Sequence, residues 1–425
     1  MTPRESWGRF TYCGGASVET RLQDIVTDVV RTLHSKLDPE RVRAVVLIGG
    51  YGRGEGGVER RDNGQEYPHN NLDFLLIGRG NMVDAADLKR EIDPLLEEIS
   101  TKVGIGLDLG ITTEAKLSSS PCLIMWYDMR FGHKTLWGDS TFVPSLVQFE
   151  ANRIPSWDAR NLLVNRGTLL VINDALRERG LSSDVDRRLV VKHAIKAIIG
   201  YGDSLLYFLG AYHWSYAEKQ RRMAARTDVP SDFKAIYDLA ARFRFEPDYA
   251  SWSTMDLDAW SEELRRALTP IHLRCEQLRL GHEFDWRCYL TVACAGELSG
   301  GNAPSLRTFA KRVITALRAE FPAETVSLLP SFSARWGARA AGPKGILPLL
   351  FPVIAYDLAD PATRTVTQAF LEADDCSLSS LRRAYLRSWG TYGDINFGTV
   401  LRKIGLSVEK TPVISTDAIT KEVVA

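Results

Sequence analysis

The stretch VLIGGYGRGEGGVERRDNGQEYPHNNLDFLLIG, residues 46–78, decides how this chain is read. It begins as an apolar run, breaks into glycines and charges, and returns to an apolar run carrying one acid, Asp73. VRAVVLIG (42–49) is short and β-branched, which predicts a buried strand, and LDFLLIG (72–78) predicts a second. Gly49 and Gly50 stand at the end of the first. Lacking a Cβ, they let the backbone approach a ligand closely and turn its N–H groups toward an anion. Arg53 adds a planar fork suited to phosphate oxygens.

On either side of this stretch the period is helical. Residues 18–36 and 84–104 space their apolar side chains at three and four, as amphipathic helices do. GLDLGITT (106–113) is a third strand and again carries an acid, Asp108, between two leucines. Acids on neighbouring strands lie side by side when those strands pair, and close carboxylates are costly unless a cation occupies the gap. Glycines with clustered acids therefore point to a magnesium-nucleotide site. Residues 123–139 (LIMWYDMRFGHKTLWGD) carry no clear period, and a first domain is expected to end near residue 145. Beyond it, helical patterns cover 154–174, 187–212, 215–226, 231–244, 258–280, 304–320 and 378–389, with a Gly/Ala/Pro-rich surface loop expected at 337–348. The expected fold is α+β: residues 1–145 as a mixed sheet with helices, then 146–425 as a mainly helical domain.

Composition narrows the function classes. The 425 residues exceed what one core usually organises, and 45% hydrophobic with 25% charged residues is the balance of an ordinary globular protein. Lys and Arg together number 53, as do Asp and Glu, so no global charge draws the chain to nucleic acid or an anionic membrane. No window reaches the roughly 18 continuous apolar residues of a membrane span, and the N-terminus has no apolar signal core. The six cysteines lack CxxC spacing, which argues against a zinc knuckle or a disulfide framework. A cytoplasmic location is the expectation.

The motif order resembles that of the DNA polymerase beta-like nucleotidyltransferase superfamily. Ile48-Gly49-Gly50 matches its Gly-Gly strand end, Asn71-Leu72-Asp73-Phe74 falls where its acid-apolar-acid-apolar strand belongs, and Leu107-Asp108-Leu109 matches its third acid. GGYGRGEGG also looks like the Gly-Ser-x-Gly-Arg loop of the antibiotic-modifying members. The resemblance covers about residues 40–115 by motif and implies that the helical domain, 146–425, closes the cleft and binds substrate. It implies Mg2+ (or Mn2+) held by Asn71, Asp73 and Asp108, with Asp108 as general base. It also implies a nucleoside triphosphate, ATP, as substrate, its phosphates held by Gly49, Gly50 and Arg53. One departure is plain: the family's first acid is Asn71 here, which removes a negative charge from the ion site. Glu55, Asp62 or Glu66 of the long loop are candidate substitutes.

In the helical part, Lys192 and Lys196 are four apart and so share a helix face from which they are expected to reach a triphosphate, with Asp203 on nearly the same face and Gly200 and Gly202 allowing close packing. Asn165 and Arg166 interrupt an apolar helix and need partners if buried. Tyr201, Tyr207, Tyr212, Trp214 and Tyr216 form an aromatic cluster, and His133 sits near the expected domain junction. The expected activity is transfer of a nucleoside monophosphate to a hydroxyl, amine or phosphate of a small-molecule acceptor, with no membrane and no nucleic-acid partner. The alternatives are a non-catalytic nucleotide-binding regulator and a toxin-like transferase acting on tRNA or protein.

Overall fold

The computed structural model describes residues 7–61, 63–79, 85–299, 306–318, 321–356, 358, 360–393 and 397–406. In chain order, helix α1 (Ala16–Lys36) precedes strand β1 (Val42–Ile48), a single turn α2 (Gly49–Gly52), and the short strands β2 (Val58–Arg60) and β3 (Glu66–Pro68). Strand β4 (Leu72–Gly78), helix α3 (Ala85–Val103) and strand β5 (Leu107–Thr113) follow, then α4 (Glu114–Ser119), α5 (Ile124–Phe131) and β6 (Lys134–Gly138). The fold is α+β: a small mixed sheet near the N-terminus, then a mainly helical region.

The sheet order is β5-β4-β1-β6, with β4–β5 parallel and both β1 pairings antiparallel. Period-two alternation gives the central strands β1 and β4 two buried faces. Val45, Leu47, Phe74 and Leu76 pack with α1 and α3, whereas Ala44, Val46, Leu75 and Ile77 pack with α4, α5 and the segment that follows. β6 is the strand that the ambiguous 123–139 stretch conceals. The long loop after the glycines is partly ordered as the β2–β3 hairpin.

The helices α6 (Ser156–Arg179), α7 (Asp184–Phe208), α8 (Tyr216–Ala224), α9 (Ser231–Phe245) and α10 (Leu257–Leu280) follow. α7 starts where Ser183 accepts a hydrogen bond from the Asp186 amide, with Asp184 and Asp186 in the first turn favouring the helix dipole. Gly200 lets its backbone lie against the Arg166 side chain, and Gly202 against the Tyr237 ring, where any Cβ would collide.

The chain divides into two compact units, Met1–Asn173 with Leu181–Phe284, and Asp174–Gly180 with Asp285–Ala425. The boundary expected near residue 145 falls within the first. The second contains α11 (Tyr289–Ser299), α12 (Leu306–Leu317), α13 (Ala323–Ser327), α14 (Phe332–Ala355), α15 (Pro361–Leu371), α16 (Leu378–Ser388) and α17 (Phe397–Lys403). The break expected at 337–348 falls within α14, where two helical segments meet at the non-helical Gly342 (φ 66°, ψ −179°) just before Pro343, but no surface loop separates them. Its small residues serve close packing: Gly337 is buried against the Cys294 carbonyl, where no side chain fits.

Candidate active site

The register of the sheet assembles the first half of the site. Ile48, the last residue of β1, pairs with Asp73, so the glycine turn begins directly beside that carboxylate. Gly49 holds φ at 69°, and a Cβ there would stand 2.6 Å from Asp73 Oδ2. Glycine is therefore required twice over, by backbone conformation and by space. A Cβ on Gly50 would come 3.1 Å from Arg244 Nη2.

The parallel β4–β5 pairing sets Asp73 opposite Asp108, as the alternating acids predicted. Burial and then the charge of Asp108 raise the Asp73 pKa to about 6. Asp108 itself is exposed on the edge strand. Asn71, on the same face as Asp73, donates Nδ2–H to Asp108 Oδ2 at 2.9 Å. Gly106 cradles that amide, since a Cβ there would lie 2.6 Å from Asn71 Cγ. Among the described residues, no group of three or more His, Cys, Asp or Glu side chains converges as a metal site. The donors present fit one divalent ion: two adjacent carboxylates, one of them desolvated, and an amide already hydrogen bonded to the second.

The second half comes from the helices. A cavity of about 520 Å³ is lined by the glycine turn, Asn71, Asp73 and residues of α5, α6, α7 and α9. That volume suits a cofactor-sized ligand. Lys192 and Lys196 enter it from one face of α7, Arg166 from α6 and Arg244 from α9. Among the described residues none of these four cations makes an ion pair or a hydrogen bond through its side chain; Arg244 lies over the Tyr216 ring, 3.8 Å from its centroid. Burial, then the charges of Lys192, Arg166 and Arg244, lower the Lys196 pKa to about 7 against the opposing pull of Asp73. Burial also lowers Lys192.

Two compensated pairs stand beside them. Arg53 Nη2 donates to Asp128 Oδ2 at 2.8 Å, and the Tyr212 hydroxyl donates to Asp128 Oδ1 at 3.0 Å. Lys219, fully buried, pairs with Asp203, which also accepts from the Tyr237 hydroxyl at 2.8 Å. Tyr216 sits among Arg53, Lys219 and Arg244. Burial pushes its phenol up, but Arg244, Arg53 and Lys219 together bring its pKa down to about 8.

Most of the residues singled out in the sequence therefore meet. Gly49, Gly50, Arg53, Asn71, Asp73, Lys192 and Lys196 line one cavity, with Arg166 and Asp203 beside them. Asp108 does not line it and touches the site through Asn71. Arg53 is no free phosphate fork: one nitrogen is committed to Asp128, although Nε and Nη1 find no acceptor among the described residues. Two of the three candidate substitutes for the first acid are used elsewhere. Glu55 accepts from the Ser215 hydroxyl at 2.6 Å and the Tyr216 amide at 2.8 Å, capping α8. Glu66 accepts from the Gly15 amide at 2.7 Å, and Asp62 lies outside the described residues. Asn165 faces solvent, and His133 is held by the Met129 carbonyl at 2.9 Å, away from the cavity lining. Arg244, Asp128 and Lys219 were missed. Arg244 had one visible signal, its place in the run Phe243-Arg244-Phe245, where both phenylalanines are buried.

No protein-family model matches the chain, and no curated protein matches it. No helix among the described residues is long and apolar enough to cross a membrane.

Proposed function

We propose that the chain is a magnesium-dependent nucleotidyltransferase that takes a nucleoside triphosphate, ATP, and transfers its nucleoside monophosphate to a small-molecule acceptor, releasing pyrophosphate. The observation that carries this reading is the convergence of a glycine turn, Asp73 and four cations without an ion pair among the described residues on one cavity. Clustered half-buried cations without ion pairs are expensive unless a polyanion compensates them, and a triphosphate does so. Backbone amides of the Gly49–Gly50 turn approach the phosphates, and Lys192, Lys196, Arg166 and Arg244 offset the charge that builds on the leaving pyrophosphate. Asp73 holds the divalent ion, which supplies Lewis-acid polarisation of the phosphate when bound. Asp108, exposed at the sheet edge, accepts the proton of the attacking hydroxyl.

A second reading is favoured by the Asn71–Asp108 hydrogen bond: the proposed base is already occupied, as in a nucleotide-binding regulator without turnover. Calorimetric titration with a non-hydrolysable ATP analogue, with and without magnesium, tests the common part of both. Binding weakened in Asp73→Ala only when magnesium is present supports the site, and no binding of any of the four nucleotides overturns it. Pyrophosphate release in the presence of candidate acceptors separates the enzyme from the regulator.

A further inference from the structure

Charge at the cavity departs from that of a site built around two magnesium ions. Its lining holds five cationic side chains, Arg53, Arg166, Lys192, Lys196 and Arg244, against three anionic ones, Asp73, Asp128 and Asp203. Asp128 and Asp203 are already taken up by Arg53 and Lys219, so among the described lining residues Asp73 alone faces the four cations that make no ion pair. The position that would add a carboxylate is Asn71, whose Nδ2–H is turned toward Asp108 and cradled by Gly106. Two divalent ions would bring four more positive charges into a space already short of negative ones. Like charges at such separations repel strongly wherever water is excluded.

Resting on the nucleotide reading above, we propose that this site binds its triphosphate with a single divalent ion, the charge of a second being supplied by the fixed cations Lys196, Lys192, Arg166 and Arg244. These side chains also bind the phosphate chain when no metal is present. Asn71 is a positioning residue, holding Asp108 by its amide where a second carboxylate would bind metal.

Counting bound Mn2+ by electron paramagnetic resonance, with a saturating non-hydrolysable ATP analogue and the full chain, tests this directly. One Mn2+ per protein–nucleotide complex is expected, with nucleotide binding retained in EDTA. Lys196→Met and Arg166→Met should each weaken that metal-free binding by about ten- to hundredfold, the worth of a hydrogen bond to a charged group, while Lys196→Arg restores most of it. Asn71→Asp should raise the count to two. Two ions in the unaltered protein, nucleotide binding that vanishes in EDTA, or a count unmoved by Asn71→Asp would each overturn the proposal while leaving a nucleotide site standing. Failure to bind nucleotide under every condition removes the site itself.

Discussion

At the scale of single residues, the site rests on contacts that tolerate little change. Gly49 lies in the left-handed region, which costs a non-glycine residue about 1–2 kcal/mol. Its missing Cβ is also the space beside Asp73 Oδ2. Gly49→Ala should therefore lower the melting temperature and weaken magnesium-dependent nucleotide binding together, read by thermal denaturation and calorimetry on the same sample. Lys196 offers a pH test. Its pKa near 7 reflects burial and the cations Lys192, Arg166 and Arg244, with Asp73 opposing them. Phosphate favours the protonated amine and raises that pKa in the complex. Affinity is then fully present below about 7 and falls as pH rises through it. Titrations in EDTA at increasing pH should show this fall, and Lys196→Met should remove it, since the nucleotide's own phosphate gains negative charge as pH rises and acts in the opposite direction. A profile identical in protein and variant would place Lys196 away from the phosphates.

At the scale of elements, legibility followed how local the signal was. β1, β4 and β5 announced themselves as short apolar runs bounded by glycine, and their acids fell in register because side-chain direction repeats every two residues. Lys192 and Lys196 were legible together because four residues make one turn of α7. β6 was not, since Lys134–Gly138 becomes a strand only by pairing with β1. Arg244 reaches the cavity through the packing of α9, which no local pattern announces. In α14, Gly342 and Pro343 do break the helix, as their types predict, but the two helical segments join directly at the kink rather than through a surface loop. Two stability tests belong at this scale. Phe74→Ala, emptying a position that is 1% exposed between β4 and the helices over it, should cost about 3–5 kcal/mol in denaturant unfolding. Gly337→Ala forces a methyl group against the Cys294 carbonyl and should cost about 1–3 kcal/mol, with α11 and α14 losing exchange protection first.

At the scale of the molecule, every residue lining the cavity belongs to the first unit. A ligand that binds only the folded state stabilises it by about 2.7 kcal/mol at a hundred times its dissociation constant. Hydrogen exchange with a saturating ATP analogue should therefore slow at residues 47–56, 71–74 and 192–204 and leave 289–299 and 332–355 unchanged. Protection confined to the second unit would mean that the nucleotide binds elsewhere.

The second unit claims a short piece of chain from far upstream. Residues 174–180 end α6, yet their partners come late: Arg382 pairs with Asp174 at 2.8 Å and Glu178 at 3.0 Å, Ser379 donates to Glu178 at 2.9 Å, and Arg179 donates to the Ile404 carbonyl at 2.6 Å. During synthesis at about 5–20 residues per second, the end of α6 leaves the ribosome some 10–40 s before Arg382 does. For that interval Asp174 has Arg177, one turn further along α6, but not Arg382, and the newborn chain presents the Glu178 carboxylate to chaperones and proteases before its late partners exist.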